Sequence, residues 1–100
     1  MVGGEVPGIV LRPTGEIDLA TADGFRASVD SALAADPPAL VFDLAEVAFL
    51  DSSGMAVIVA AWKAQRNVGR AVAVINARPI VRRAMTIVGL DVLFDVTAIP

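Results

Sequence analysis

The stretch VAFLDSSGMAVIVAAW, residues 47–62, decides how this chain folds. Its polar tetrapeptide, DSSG at 51–54, stands between two apolar runs. The run before it has the length of a strand, and the run after it has the length of a buried helix. The tetrapeptide is compatible with a hinge, with a nucleophile, or with a target for another protein's chemistry.

The composition excludes several classes of function. The chain has 100 residues, the size of one small domain with one hydrophobic core. Its net charge of −3 argues against nucleic acid as a main partner, because phosphate binding needs a basic stripe. There is no cysteine and no histidine, which excludes thiol catalysis, Ser-His-Asp hydrolysis and the usual zinc sites. We therefore expect no enzyme, no metal and no cofactor.

The sequence predicts neither export nor membrane insertion. The first eight residues, MVGGEVPG, lack the basic region and apolar core of a signal peptide. The longest apolar run, residues 55–62, is far shorter than the roughly 20 residues that span a bilayer. We therefore expect a cytoplasmic protein with no membrane partner.

Apolar spacing predicts alternating strands and helices over a single domain, residues 1–100. The predicted strands are residues 9–11, 39–44, 71–75 and 92–96. The first predicted helix turns Phe25, Val29, Ala32 and Leu33 inward, the second runs from Ser52 or Ser53 to about Asn67, and the third turns Ile80, Ala84, Ile87 and Val88 inward. This order is typical of an α/β fold with a mostly parallel sheet.

The DSSG segment lies between a strand and the N-terminus of the second helix. Chemistry gathers at the carboxyl ends of parallel strands, and a helix N-terminus offers free backbone N–H groups. The segment GEID, residues 15–18, leaves an earlier strand in the same sense. We therefore expect Asp18 and Asp51 at one edge of the sheet.

Three interpretations of the tetrapeptide remain at this point. An Asp or Ser before a helix is first of all an N-cap, worth about 0.5–2 kcal/mol. A serine nucleophile is disfavoured, because histidine is absent and Lys63 lies about three helical turns beyond Ser52. A magnesium site at Asp18, Asp43 and Asp51 is disfavoured too, because these residues lack ligand spacing.

Four motifs then occur together and in order. They are PTGEID at 13–18, LVFDL at 40–44, FLDSSGMAVIVAAWK at 49–63 and RRAMTIVGLDVLF at 82–94. With them, residues 6–95 resemble a STAS domain of the anti-sigma-factor antagonist type. The resemblance implies a small mixed, mostly parallel β-sheet with helices packed on it, which agrees with the predicted elements.

The resemblance also implies a role for the tetrapeptide. Ser53 matches the serine that a partner kinase, itself an anti-sigma factor, phosphorylates in that family. The unphosphorylated antagonist binds the anti-sigma factor and releases a sigma factor, and a serine phosphatase resets the phosphorylated form. The implied partner-binding residues are Asp18, Asp51, Ser52, Ser53, Gly54, Met55 and Ala56. Asp51 would order the acceptor loop, and Gly54 would let a partner's backbone come close.

Some alternatives stay open. The helix after Ser53 is apolar all round, so either its neighbours bury it or Met55, Ala56 or Ala60 stays exposed for a partner. Arg82 and Arg83 fit solvated charges better than phosphate ligands. A STAS module of a stress-signalling complex or of a lipid-transport assembly is the second hypothesis, and an unrelated small α/β enzyme or ligand-binding domain is the third. Compared with the family, we expect the N-terminal strand within residues 1–6 to be short and the extra C-terminal helix to be missing.

Overall fold

Five strands and three helices make up residues 8–94, the part of the chain that the computed structural model describes. In chain order they are β1 Ile9–Leu11, β2 Gly15–Ile17, α1 Ala22–Ala34, β3 Ala39–Asp43, β4 Val47–Leu50, α2 Ser52–Asn67, β5 Ala71–Ile75 and α3 Pro79–Ile87. A 3₁₀ helix at Leu90–Leu93 follows α3. The predicted single-domain extent of residues 1–100 stays a prediction.

The strands form two parallel sheets. In the larger sheet β3 lies between β1 and β5, and its register aligns Phe42 with Leu11 on one side and with Val74 on the other. In the smaller sheet β2 pairs with β4. Every pairing of these named strands is parallel. The predicted α/β fold, with a mostly parallel arrangement and helices packed on it, is confirmed.

The sequence does not predict that β2 and β4 form a sheet of their own. The two strands are three and four residues long, which leaves too little alternation to identify a pairing. The register shifts between Gly15 and Glu16, where Gly15 has a φ of 79°. A glycine adopts this left-handed conformation without the steric cost that a side chain would add.

Helices α1 and α2 pack against each other and against the larger sheet. Phe25, Val29 and Ala32 are buried, as the spacing of α1 predicts, and Leu33 is partly buried. The ring of Phe25 meets that of Phe42 edge-on, with 5.8 Å between the ring centroids. This aromatic contact ties α1 to the middle strand of the sheet.

The predicted inward face of α3 is wrong for three of its four residues. Ile80, Ile87 and Val88 are 62%, 77% and 58% exposed, and of the predicted set only the residue at position 84 is partly buried. Val81 and Met85 are buried instead. Both faces follow the i, i+4 spacing of a helix, so spacing alone does not tell which one meets the core. Contact of α3 with β4 and with the 3₁₀ helix selects the Val81 and Met85 face.

The predicted strand at residues 92–96 is also wrong over its described part. Leu90 and Leu93 are buried on one side of the 3₁₀ helix, which places residues three apart in line. A strand would point two such residues to opposite faces. Phe94 then makes a single parallel bridge to Val74. Residues 95 and 96 of that prediction lie outside the described residues, as do the residues of the predicted short N-terminal strand and those at the C-terminus.

Candidate functional site

The carboxyl ends of β2 and β4 lie side by side. Ile17 aligns with Leu50, and the backbone N–H of Asp51 donates a 3.1 Å hydrogen bond to the carbonyl oxygen of Ile17. Asp18 and Asp51 are the next residues of the two chain segments. The structure therefore brings them to one edge, as the sequence predicts.

Asp51 is the N-cap of α2. Its Oδ1 accepts hydrogen bonds from the backbone N–H groups of Ser53 at 2.8 Å and Gly54 at 3.3 Å. Its carbonyl oxygen accepts from the N–H of Met55 at 3.0 Å. The first N–H groups of a helix have no partner inside the helix, so this carboxylate satisfies two of them. The conformation of the DSSG segment is thus fixed by its own aspartate.

The two serines differ in their surroundings. Ser52 is exposed, whereas Ser53 is partly buried. Among the residues that the structure describes, neither hydroxyl takes part in a hydrogen bond within the protein. Lys63 lies eleven positions beyond Ser52, which is about 16 Å along the helix axis. No lysine, histidine or cysteine of this chain can therefore activate either serine from within α2.

Gly54 and Met55 lie beneath the surface. A Cβ atom on Gly54 would stand 2.6 Å from Cγ2 of Ile17 and would also overlap Leu50, so the glycine lets α2 approach the β2–β4 pair. Met55 is 9% exposed and belongs to the core, whereas Ala56 and Ala60 are exposed on α2. The interpretation that Met55, Ala56 or Ala60 stays exposed for a partner therefore holds for the two alanines and fails for Met55.

A hydrogen-bonded turn surrounds Asp18. Its Oδ1 accepts from the backbone N–H groups of Ala20 at 3.0 Å and Thr21 at 3.2 Å. The Thr21 hydroxyl lies 2.9 Å from both the Glu16 carbonyl oxygen, to which it donates, and the Asp18 N–H, from which it accepts. The Asp-x-x-Thr spacing of residues 18–21 is the sequence signal that would have indicated this reciprocal bonding. The turn sets the direction of the segment between β2 and α1.

The third aspartate of the disfavoured magnesium site lies elsewhere. Asp43 ends β3 in the larger sheet, where its Oδ2 meets Nε of Arg12 at 3.3 Å and its Oδ1 meets Nδ2 of Asn76 at 3.2 Å. Burial alone raises the pKa of Asp43, but the Ala45 N–H, the Asn76 amide and the Arg12 guanidinium together hold that pKa below its usual value of 3.8. Its hydrogen-bonding role is thus structural. Within residues 8–94 no three acidic side chains converge on a common point that could hold a metal ion.

The two arginines of α3 differ in their surroundings. The guanidinium of Arg82 lies over the ring of Phe94, with 4.3 Å from its central carbon to the ring centroid. Arg83 is exposed.

A cleft of about 400 Å³ opens between β1, β2 and α1, and its lining includes Arg12, Glu16, Thr21 and Phe25. None of the described helices has the length and apolarity needed to cross a membrane.

Comparison with known proteins agrees with this architecture. The STAS domain model matches residues 4–98. Anti-sigma-F factor antagonist RsfB of Mycobacterium tuberculosis is 36% identical over 87 residues, which cover 85% of this chain and 69% of that protein. A crystal structure of an anti-sigma factor antagonist from Mycobacterium paratuberculosis is similar with a TM-score of 0.74 and 34% identity, over 85% of this chain and 72% of that one.

The fold likeness extends to more distant structures. SpoIIAA in its unphosphorylated form, an anti-sigma factor antagonist, matches with a TM-score of 0.76 at 23% identity, over 86% of this chain and 76% of that one. At that identity the likeness concerns the fold. The family model, by contrast, covers nearly the whole sequence. The chain therefore belongs to the STAS domain family.

Proposed function

We propose that this chain is an anti-sigma-factor antagonist that phosphorylation of Ser53 switches off. Without phosphate it binds an anti-sigma factor that is also a serine kinase, and a sigma factor is released. Phosphorylation ends that binding, and a serine phosphatase restores it. The proposal is supported by relatives that are named anti-sigma factor antagonists and by the environment of the Ser53 hydroxyl.

The Ser53 hydroxyl is the observation that carries the proposal. It stands in the first turn of α2 without a hydrogen-bond partner among the described residues, at the edge where β2 and β4 end. The backbone beneath it is held by the Asp51 carboxylate. A kinase would therefore meet an acceptor whose backbone is held in place. Its hydroxyl would not have to break a hydrogen bond to any described residue before it is phosphorylated.

Charge at this edge explains why phosphorylation would release a bound partner. A phosphate adds about −1.5 to −2 charges, and a helix N-terminus stabilises a negative group by about 0.3–1 kcal/mol. The nearest backbone donors already serve Asp51, so the phosphate would compete with a carboxylate for them. A contact that buries neutral Ser53 cannot bury a dianion without a large desolvation cost.

The fold itself should survive phosphorylation. Gly54, Val57 and Ile58, which anchor α2 to the sheets, point away from the surface and are buried. The proposed contact surface is formed by Asp18, Asp51, Ser52, Ser53 and Ala56, while Gly54 and Met55 support it from below. The partner interface changes, and the core does not.

The domain would act as a substrate and a binding protein, not as a catalyst. The chain has no histidine and no cysteine, and its single lysine lies far from the serines along α2. Its proposed partners, an anti-sigma factor and a phosphatase, act on transcription in the cytoplasm, which is where we place the chain. Neither nucleic acid nor a membrane is among the proposed partners.

Phosphate-affinity electrophoresis tests the site directly. The chain is incubated with ATP and the serine-kinase anti-sigma factor from the same genome, and wild type is compared with Ser53→Ala and Ser52→Ala. We expect wild type and Ser52→Ala to shift and Ser53→Ala to stay unshifted. A shift of Ser53→Ala would contradict the assignment of the acceptor.

A second candidate function keeps the family and changes the assembly. In it the chain is a STAS module of a stress-signalling complex or of a lipid-transport assembly, and Ser53 is a contact residue alone. Ala56 and Ala60 form an exposed side of α2 that such an assembly could also cover. Stable co-purification with a transporter, together with no kinase-dependent shift, would favour this candidate.

A further inference from the structure

Leu19 is the most exposed large hydrophobic residue among those the structure describes, at 80% exposure. It precedes α1 and follows β2, between Asp18 and Ala20. Removing a leucine side chain from water is favourable, so an exposed one forgoes that stabilisation. The position therefore contributes little to the stability of the isolated chain.

Leu19 also has no role in capping the helix. In a hydrophobic staple, the residue directly before the N-cap packs on the fourth residue of the helix. The N-cap of α1 is Thr21, so the staple position belongs to Ala20 and its counterpart is Phe25. Leu19 lies one residue too early for this contact and stays in solvent.

The backbone on both sides of Leu19 is nevertheless fixed. The Asp18 carboxylate accepts from the N–H groups of Ala20 and Thr21, and the Thr21 hydroxyl bonds to the backbone of Glu16 and Asp18. The carbonyl oxygen of Asp18 also accepts from the N–H of Ala22 at 2.8 Å. A side chain on such a turn is presented in a restricted set of directions, which lowers the entropy cost of binding it.

The same turn begins where the phosphoacceptor loop is attached. Ile17, two residues before Leu19, accepts the hydrogen bond from Asp51 and packs against Gly54. A protein large enough to enclose Ser53 would therefore also reach Leu19. Burial of this side chain in an apolar pocket of that protein would recover the stabilisation that it forgoes in solvent.

We propose that Leu19 is the apolar anchor that determines how tightly this chain binds its anti-sigma factor, through an apolar pocket of that partner beside the site that receives Ser53. This inference rests on the proposed function. Leu19 acts on recognition alone, since it carries no chemistry and does not support the fold. It would set the affinity for one anti-sigma factor over another, whereas Ser53 sets whether binding occurs at all.

Calorimetry with the purified anti-sigma factor tests the anchor. We expect Leu19→Ala to raise Kd by about 10- to 100-fold, because the truncated side chain loses most of the apolar surface that binding would remove from water. The matched control is Val68→Ala, which also trims an exposed side chain but lies just beyond the C-terminal end of α2, about 24 Å along the helix from Ser52. Its Kd should stay within twofold of wild type.

Two further measurements distinguish a role of Leu19 in binding from a role in the fold. Thermal unfolding midpoints of Leu19→Ala and wild type should agree, and the kinase should phosphorylate Leu19→Ala with raised KM and unchanged kcat. Unchanged Kd in Leu19→Ala, with wild type binding normally, would overturn the anchor and leave the proposed function intact. A wild-type chain that binds no anti-sigma factor would overturn the proposed function and the anchor with it.

Discussion

The backbone N–H of Asp51 donates a 3.1 Å hydrogen bond to the carbonyl oxygen of Ile17, which joins the start of α2 to the end of β2. The same Ile17 packs beneath Gly54. The DSSG segment and the Asp18 turn therefore lie at one edge, although Asp18 and Asp51 are 33 positions apart in sequence.

The Asp51 cap leads to a first prediction. Asp51→Ala removes the acceptor of the Ser53 and Gly54 N–H groups and should lower the free energy of unfolding by about 0.5–2 kcal/mol. Asp51→Asn keeps an oxygen in that place and should lose much less. Urea denaturation followed by circular dichroism measures both. Equal stability of Asp51→Ala and wild type would contradict the capping role.

The close packing of α2 gives a second prediction with an internal control. Gly54→Ala puts a Cβ atom against Ile17 and Leu50, and overpacking of this kind costs about 1–3 kcal/mol. Gly24→Ala adds a methyl group where no heavy atom lies within 4 Å, inside α1, and should stabilise by about 0.5–1 kcal/mol. The midpoint of chemical denaturation should thus fall for Gly54→Ala and rise for Gly24→Ala. A stabilised Gly54→Ala would refute the packing argument.

The charge argument gives a third prediction. Ser53→Asp places a negative group beside the Asp51 carboxylate and should weaken binding to the anti-sigma factor by 10- to 100-fold, about 1.4–2.8 kcal/mol. Ser53→Ala, which adds no charge, should bind like wild type. Titration calorimetry on all three proteins decides the matter, and equal affinity of Ser53→Asp and wild type would rule out switching by charge.

The lowered pKa of Asp43 gives a fourth prediction. Its folded pKa lies below the usual 3.8, so the carboxylate stabilises the fold above pH 3.8 and this stabilisation is lost as the pH falls through the folded pKa. Asp43→Ala, which also removes the contacts to Arg12, Ala45 and Asn76, should cost about 1–2 kcal/mol near neutral pH. The free energies of unfolding of Asp43→Ala and wild type should approach each other as the pH falls into the acid range. A difference in free energy that stays constant with pH would show that the charge is not involved.

Local patterns identified most of the helical structure. The N-cap at Asp51 and the end of α2 at Asn67 follow from residues within a few positions, and so does the inward face of α1 at Phe25, Val29 and Ala32. The exposure of Ile80 and Ile87 was not predictable from the sequence. Their spacing fits a buried helix face, and the spacing of Val81 and Met85 fits one equally well. Selection between two such faces depends on what lies opposite them.

The sequence by itself determined the three helices, the strands β1, β3 and β5, the capped start of α2 and the membership of the STAS family, because capping residues, apolar periodicity and motif order are local properties. Only the tertiary structure decided that β2 pairs with β4, that Met55 is buried while Ala56 is exposed, and that Leu19 is exposed next to the edge that Asp18 and Asp51 share. The physical reason is that burial and pairing are set by neighbours distant in sequence. The hydrogen bond from Asp51 to Ile17 forms only when β2 and β4 are paired.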